Sequence, residues 1–253
     1  MRKVILHYHL FKNAGTSVDA VLKQSFSNSW VTREFTDESK SERNELQMWI
    51  RQTDAICYSS HTASLPPPVI EDIYIFPVIF MRHPIDRIAS AYTFEKRQSD
   101  NGFGAVLAQN TSMAGYIETR LSLDGDRQCR NFHTYRFSQM FEDGSEISRA
   151  KRALYSLPFV GLVERFNLSL ERLEYLLREE SFGSVHLKPV QKNVSRYIRK
   201  PIDIKLSEIK REIGGRTYTK LIEANREDLE LYELCCHIYN LGIYEVEAIS
   251  LDE

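Results

Sequence analysis

The sequence predicts an α/β fold in which helices flank a central, mainly parallel sheet, with a P-loop-like architecture suited to a nucleotide. Short apolar runs alternate along the chain with amphipathic stretches of helical period, which is the pattern of β-α-β units. Two apolar runs lead directly into a polar loop and a helix, at Lys12–Ser17 and at Arg82–Tyr92. Because ligands bind beyond the carboxyl ends of parallel strands, both loops are expected to face one crevice.

The size and composition of the chain favour a single globular domain over residues 1–253. Of the 253 residues, 42% are hydrophobic and 27% are charged, which suits one large core and excludes a disordered chain. Lysine and arginine total 33 against 35 acidic residues. This balance leaves no overall positive field to collect nucleic acid, so any anion site must be local and no nucleic-acid partner is expected.

The cysteines and the apolar segments bear on the location of the protein. Cys57, Cys129, Cys235 and Cys236 form neither a disulfide framework nor a zinc-binding spacing. No segment approaches the roughly 20 apolar residues of a membrane span, and the apolar run after Met1 is too short for a signal peptide. We therefore expect a cytoplasmic protein without a membrane span.

The first hundred residues predict three strands and a helix between the first two strands. The strands are predicted over 4–11, 55–58 and 74–81, and the helix over 18–24. Pro77 lies inside the third strand and removes one ladder donor. Residues 30–54 are rich in charge and carry apolar residues at helical spacing, and we interpret them as a lid or acceptor-site segment.

The rest of the chain predicts two more strands and several helices. Residues 100–150 mix helix and loop signals and are interpreted as a second lid or acceptor-site segment. After them the sequence predicts a strand over 159–163, a helix over 169–179, a short fifth strand over 184–187 and a long amphipathic helix over 218–239.

The first loop has the residues of an anion site. Lys12, Gly15, Thr16 and Ser17 lie where a strand meets a helix, so free backbone N–H groups and the positive end of a helix dipole surround one point. Gly15 lets the main chain approach an anion, and Lys12 supplies a compact charge. The lysine precedes the glycine, unlike the order in a Walker A motif. A plain helix cap by Thr16 or Ser17 is the alternative.

A second anion signal begins at Arg82, again where a strand meets a helix. Ser90 lies two helical turns beyond, so a phosphate over the first turns could meet the guanidinium and the hydroxyl together. Arg87 is interpreted as a packing or salt-bridge residue, and His83 as a loop residue. Two anion pockets at neighbouring strand ends suit a nucleotide that carries anions at both its 5' and 3' positions.

These motifs resemble those of the sulfotransferases that use 3'-phosphoadenosine-5'-phosphosulfate (PAPS), closest to the branch that includes the carbohydrate, heparan-type enzymes. The family's first motif, His-x-Pro-Lys-x-x-Gly-Thr-Ser, is similar to His9–Ser17, with Phe11 in place of proline and Asn13-Ala14 in place of Thr-Gly. Its second motif, Arg-x-Pro-x-x-Arg-x-x-Ser-x-Tyr, matches Arg82–Tyr92. Weaker similarities follow in the family's order at 159–166, 191–196 and 228–232.

The resemblance implies transfer of a sulfuryl group from PAPS to a hydroxyl acceptor, with 3',5'-bisphosphoadenosine as product. No metal is expected, because the spacing of Asp and Glu has no metal-binding pattern and Lys12 makes a metal unnecessary. It favours a carbohydrate or glycolipid acceptor, while lipid, polyketide and small-alcohol acceptors stay open because no pattern in the acceptor segments identifies the acceptor. It also implies three groups of donor-binding residues. The 5'-phosphosulfate is held by Lys12, Asn13, Ala14, Gly15, Thr16 and Ser17. The 3'-phosphate is held by Arg82 and Ser90, and a later segment with Ser195 and Arg196 closes over it.

Sulfuryl transfer needs a cation at the leaving phosphate and a base for the acceptor hydroxyl. Lys12 is the candidate cation. His61 is the first candidate base because it ends the second predicted strand, and in the resembling enzymes a histidine in a comparable place is the base; a loop histidine without a role is the alternative. His9 is the second candidate. A hydrogen-bonded core role is the alternative for His9 and applies equally to His7.

Three later residues remain open at this level. His133 lines an acceptor site, covers the nucleotide or belongs to a solvated loop. Glu164 and Arg165 contact a ligand or form a structural ion pair. Two other functions also stay open: a P-loop-type nucleotide kinase, which the missing GK[ST] sequence disfavours, and a nucleotide-binding module of the same fold without turnover.

Overall fold

The computed structural model describes residues 1–35, 39–183, 185–189 and 200–250. Its centre is a five-stranded parallel sheet with the order β2-β3-β1-β4-β5, flanked by helices on both faces, which confirms the predicted fold class. The strands are β1 Arg2–Tyr8, β2 Trp30–Thr32, β3 Cys57–Ser60, β4 Ile73–Met81 and β5 Val160–Leu162.

Eleven α-helices surround this sheet over the described part of the chain. Their bounds are α1 Gly15–Phe26, α2 Ser39–Gln52, α3 Pro84–Glu95, α4 Phe103–Asn110, α5 Met113–Ser122, α6 Phe132–Ser138, α7 Glu146–Ser156, α8 Phe166–Glu179, α9 Ile202–Ile213, α10 Gly215–Ala224 and α11 Arg226–Ser250. No helix within the described residues combines the length and the apolar character that a membrane crossing requires.

Helices cover both faces of the sheet, and successive side chains of each strand point to opposite faces, so both sets of side chains are buried. Leu6 and Ile79 pack with α2, α7 and α11 in one apolar cluster. Ile5 and Val78, their immediate neighbours, pack with α1 and α8 in another. Both strands therefore read as continuous apolar runs in the sequence, as parallel strands usually do.

Two of the predicted elements are wrong. The fifth strand is Trp30–Thr32 at the edge beside β3, whereas residues 185–187, the described part of the predicted strand over 184–187, have no regular structure. The predicted helix over 218–239 is two helices, because α10 ends at Ala224 and α11 begins at Arg226, with Asn225 between them. The Asn225 side chain donates to the carbonyl oxygens of Cys129 and Leu221, which fixes the break.

The two predicted lid segments contain much buried structure. Leu46 and Ile50 of α2 are fully buried in the core, as are Tyr116 and Ile117 of α5. Apolar burial of this kind stabilises each helix by roughly 1.5–3 kcal/mol per large side chain. A role of these segments at the acceptor site remains a prediction.

Candidate active site

A cleft of about 740 Å³ opens at the carboxyl edge of the sheet. The strands β1, β3 and β4 end here, and the loops that follow them form its floor. The cleft brings together both anion motifs and both candidate bases, although they are spread over more than eighty residues of sequence. Its walls include His9, Lys12, Ala14, Gly15, Thr16, Ser17, His61, Arg82 and Ser90.

The loop Lys12–Ser17 presents backbone N–H groups to the cleft. Lys12 and Ala14 have left-handed backbone, with φ of 62° and 61°, so the chain turns sharply before α1. Within the described residues no acceptor meets the amides of Gly15 and Thr16, which open the helix. No side chain caps α1, so Thr16 and Ser17 do not act as its caps. These amides and the helix dipole form an anion site.

Gly15 differs from its predicted role in one respect. A Cβ at this position would lie 2.0 Å from Cδ2 and 2.3 Å from Nε2 of His9, well inside van der Waals contact. The absent side chain therefore makes room for the His9 ring as well as for an anion. The left-handed backbone of this loop is found at Ala14 and not at Gly15, although alanine lacks the conformational freedom of glycine.

Asn13 differs more clearly from the sequence prediction. Its side chain is buried and is not among the cleft-lining groups of the described residues. Oδ1 accepts from the backbone N–H of Arg82 at 2.8 Å and lies 2.9 Å from Nε2 of His133, while Nδ2 donates to the carbonyl of Phe11. Asn13 thus ties the first anion loop to the start of the second.

His133 is a buried residue of α6 and not part of a solvated loop. Its backbone N–H donates to Oδ2 of Asp228 at 3.0 Å, and its Nδ1 lies 3.2 Å from the same oxygen. Asp228 also accepts from Thr134. Burial opposes ionisation of Asp228, but the bonds from His133 and Thr134 hold its pKa below the ordinary value. A buried chain Asp228–His133–Asn13 therefore anchors the loop to α11.

Lys12 points along the cleft toward α3. Its ammonium lies 4.1 Å from the centroid of the Phe94 ring, a cation–π contact, and Phe11 meets the edge of the same ring. Burial, and then the charge of Arg82, lower the pKa of Lys12. Phe11 thus packs beside the lysine at the place where the resembling motif has proline.

Arg82 belongs to a buried ion cluster that the sequence did not predict. Its Nε donates to Oδ2 of Asp86 at 2.7 Å, and Lys205 Nζ reaches the same oxygen at 3.1 Å. Arg82 Nη1 also lies 3.4 Å from the carbonyl oxygen of Lys12. Asp86, Ser90 and Lys205 all line the cleft, so the second anion pocket has two cations and one carboxylate.

The rings of His9 and His61 stack in the cleft with their centroids 3.7 Å apart. Nδ1 of His61 lies 2.6 Å from Oε1 of Glu34, and Glu34 Oε2 accepts from the backbone N–H of His61. Nδ1 of His9 lies 2.8 Å from Oδ2 of Asp19. In both rings a carboxylate oxygen accepts a hydrogen bond from Nδ1–H, which leaves Nε2 with its lone pair.

The two histidines differ in exposure. The His61 side chain is 52% exposed and that of His9 is 8% exposed. Burial lowers the pKa of His9, and this outweighs the hydrogen bond to Asp19, which raises it. An acceptor can therefore reach His61 directly, whereas His9 is a neutral ring beneath it.

His7 extends this network into the core. Its Nδ1 lies 2.7 Å from Asp19 Oδ1, which also accepts from the Ser59 hydroxyl at 2.6 Å. Although burial opposes it, these bonds and the one from His9 hold the pKa of Asp19 far below the ordinary value. Ligand atoms of His7, His9 and Asp19 lie within 4.8 Å of one another, a spacing that could hold a metal ion. Hydrogen bonds already satisfy this carboxylate.

The other open residues have structural contacts. Arg87 is fully buried, with its guanidinium beside Gln128 and over the Phe132 ring, as the packing interpretation expected. Glu164 accepts from the backbone N–H of His83 at 2.8 Å, and burial raises its pKa. Arg165 lies over Tyr239. Ser195 and Arg196 lie outside the described residues.

Sequence reasoning missed four charged residues of the site: Asp19, Glu34, Asp86 and Lys205. Asp86 follows Arg82 by four residues, a spacing at which opposite charges pair on a helix. The sequence could therefore have predicted this ion pair. Glu34 and Lys205 reach the site from distant segments, and no local pattern marks them.

Two comparisons with known proteins show what this chain is similar to. A family model described as "Sulfotransferase family" matches residues 1–234. An uncharacterized protein of Archaeoglobus fulgidus is 38% identical over 251 residues, an alignment that covers 95% of this chain and 99% of the relative.

Proposed function

The chain belongs to the sulfotransferase family, and we propose that it transfers a sulfuryl group from PAPS to a hydroxyl of an acceptor molecule. Membership of this family favours sulfuryl transfer over the nucleotide-kinase alternative. We further propose a carbohydrate or glycolipid acceptor and a cytoplasmic location, both as expected from the sequence.

One observation carries the proposal: two cationic pockets and a pair of histidines border the same cleft. The volume of about 740 Å³ lies in the range of nucleotide and cofactor sites. A nucleotide with an anion at each end needs two separated cationic places and an apolar wall between them. Ala89 and Met113 supply apolar surface in this cleft.

The residues present fit the donor. The 5'-phosphosulfate would be held by Lys12, by the free amides of Gly15 and Thr16 and by the hydroxyls of Thr16 and Ser17. The 3'-phosphate would be held by Arg82 and Ser90. Asn13 would support both pockets through its bond to Arg82. When bound, PAPS supplies the sulfuryl group and leaves as 3',5'-bisphosphoadenosine.

Lys12 has the task of neutralising charge on the departing phosphate. In the folded protein its half-buried ammonium is already partly desolvated beside Phe94, so its attraction for an anion is stronger than in water. The amides that open α1 add fixed dipoles at the same place.

His61 is the proposed base. Glu34 holds the proton on Nδ1, so Nε2 is free to take the proton of the acceptor hydroxyl as that oxygen bonds to sulfur. The bond between sulfur and the phosphate oxygen breaks in the same displacement, and its electron pair stays with the phosphate. Glu34 acts through His61 and is therefore a positioning residue.

Incubation with ³⁵S-labelled PAPS and hydroxylated extracts of the source cell tests this function. We expect label in an acceptor with the wild-type protein and none with His61→Ala. Wild-type protein that binds the donor product yet labels no acceptor would support the non-catalytic module.

Thermal shift tests the ligand class without an acceptor. We expect 3',5'-bisphosphoadenosine to raise the Tm without magnesium by more than ATP with magnesium does. The opposite order would favour a kinase and overturn the proposal.

A further inference from the structure

Lys205 is a buried cation in the cleft, far in sequence from both anion motifs. It belongs to α9, and its side chain is 7% exposed. Lys205, Glu208, Ile209 and Glu212 all line the cleft, and their spacing places them on one face of the helix. Thus α9 forms a wall of the cleft, with Lys205 at its buried end.

The ammonium of Lys205 shares one oxygen with the guanidinium of Arg82. Both nitrogens approach Oδ2 of Asp86, at 3.1 and 2.7 Å, and all three side chains are at least nine-tenths buried. Two buried cations against one carboxylate leave an excess positive charge. An unpaired buried charge is destabilising, so the cluster favours binding of an anion that compensates the excess positive charge.

Among the described residues, both cations keep N–H donors without a partner while Asp86 holds them. An ammonium carries three N–H donors, and the contact with Asp86 uses one. Arg82 carries five, and within the described part of the chain Nε donates to Asp86 and Nη1 to the Lys12 carbonyl. Asp86 therefore fixes the direction of both groups, and their remaining N–H groups are available to a phosphate.

We propose that Lys205 is a specificity-determining residue, which together with Arg82 selects a nucleotide bearing a 3'-phosphate over one that lacks it. The proposal rests on the proposed function and assigns a residue and a helix that neither motif contains. Ser90 also lines the cleft and lies on α3, four residues after Asp86, so a phosphate between α3 and α9 would meet both helices.

The test compares the Kd of 3',5'-bisphosphoadenosine and of 5'-AMP by isothermal titration calorimetry. In Lys205→Met we expect bisphosphate binding to weaken by about tenfold or more, the effect of a lost charge-assisted bond, while 5'-AMP binding stays unchanged. Lys210→Met is the matched control: Lys210 lies on the same helix, is exposed, and has its ammonium over the Tyr218 ring. We expect it to leave both constants unchanged.

Lys205→Gln provides a second variant if Lys205→Met does not fold. It keeps an N–H donor toward Asp86 but removes the charge, and we expect the same loss of preference for the bisphosphate. An unchanged preference in either folded variant, or an equal loss for both nucleotides, would overturn the assignment of Lys205. A wild-type protein that binds the bisphosphate no tighter than 5'-AMP would instead overturn the proposed donor itself.

Discussion

The imidazole of His9 lies directly against that of His61, with ring centroids 3.7 Å apart and planes inclined by 29°. Each ring has a carboxylate at Nδ1, Asp19 for His9 and Glu34 for His61. Two imidazolium ions at this separation would repel each other. The pair is therefore suited to take up one proton, and the exposed ring, His61, is the one that an acceptor can reach.

We predict that His61→Ala abolishes sulfuryl transfer but leaves the Kd of 3',5'-bisphosphoadenosine within about twofold, because general-base loss alone costs roughly 10²–10⁴ in rate. Single-turnover transfer of labelled donor and calorimetry measure the two effects. His186→Ala, at a histidine that is 68% exposed, is the control and should change neither. Full turnover in His61→Ala, with loss of turnover in His9→Ala, would transfer the role of base to His9.

Asn13→Ala should lower the free energy of unfolding by about 1–3 kcal/mol. It leaves the backbone N–H of Arg82 and Nε2 of His133 without their shared acceptor in a buried site. Urea unfolding measures the loss. A variant as stable as the wild type would mean that this chain of bonds does not anchor the loop.

Gly15→Ala should reduce both activity and donor binding, because the added Cβ collides with the His9 ring. Ala14→Gly is the matched control in the same loop. Ala14 has φ of 61°, which glycine adopts without strain, so this variant should fold and bind the bisphosphate normally. Normal binding by Gly15→Ala would contradict the contact with His9.

The stability of the protein should fall as the pH drops from about 6.5 to about 4, in part because of His83. Burial lowers the pKa of His83 from 6.5 to about 4, and its Nδ1 meets no hydrogen-bond partner among the described residues. Between these values the unfolded chain binds a proton that the folded chain does not, which costs up to about 3 kcal/mol. Unfolding in urea at pH 7 and pH 4.5 should therefore give a smaller difference for His83→Gln than for the wild type. Equal differences in the two proteins would rule out His83 as a source of the pH dependence.

Local patterns predicted the parts of this fold that depend on local sequence. Continuous apolar runs predicted β1 and β4 because both faces of those strands are buried, and the polar loops after them predicted where the cleft lies. The strand Trp30–Thr32 was missed because three residues at a sheet edge carry no readable period. The break at Asn225 was missed because it depends on a contact with Cys129, 96 residues away.

The residues of the site likewise include some that local motifs predict and some that only long-range contacts bring in. Lys12, Arg82 and Ser90 lie within motifs, and the structure gathers them in one cleft. Lys205 reaches the cleft, and Glu34 reaches His61 in its wall, through long-range packing, so only the three-dimensional structure reveals them. Asn13 lies inside a motif, yet its buried side chain supports the loop by bonding to Arg82 and His133. Its position in the sequence does not indicate this role.

The central claim is that two cationic pockets bind the two ends of one doubly phosphorylated nucleotide. Calorimetric titration without magnesium tests it most directly, with 3',5'-bisphosphoadenosine, 5'-AMP and 3'-AMP as ligands. We predict that the bisphosphate binds at least about 100-fold tighter than either monophosphate, that Lys12→Ala weakens the bisphosphate and 5'-AMP, and that Arg82→Ala weakens the bisphosphate and 3'-AMP. Equal affinities for the bisphosphate and one monophosphate would contradict the claim, because only one pocket would then be in use.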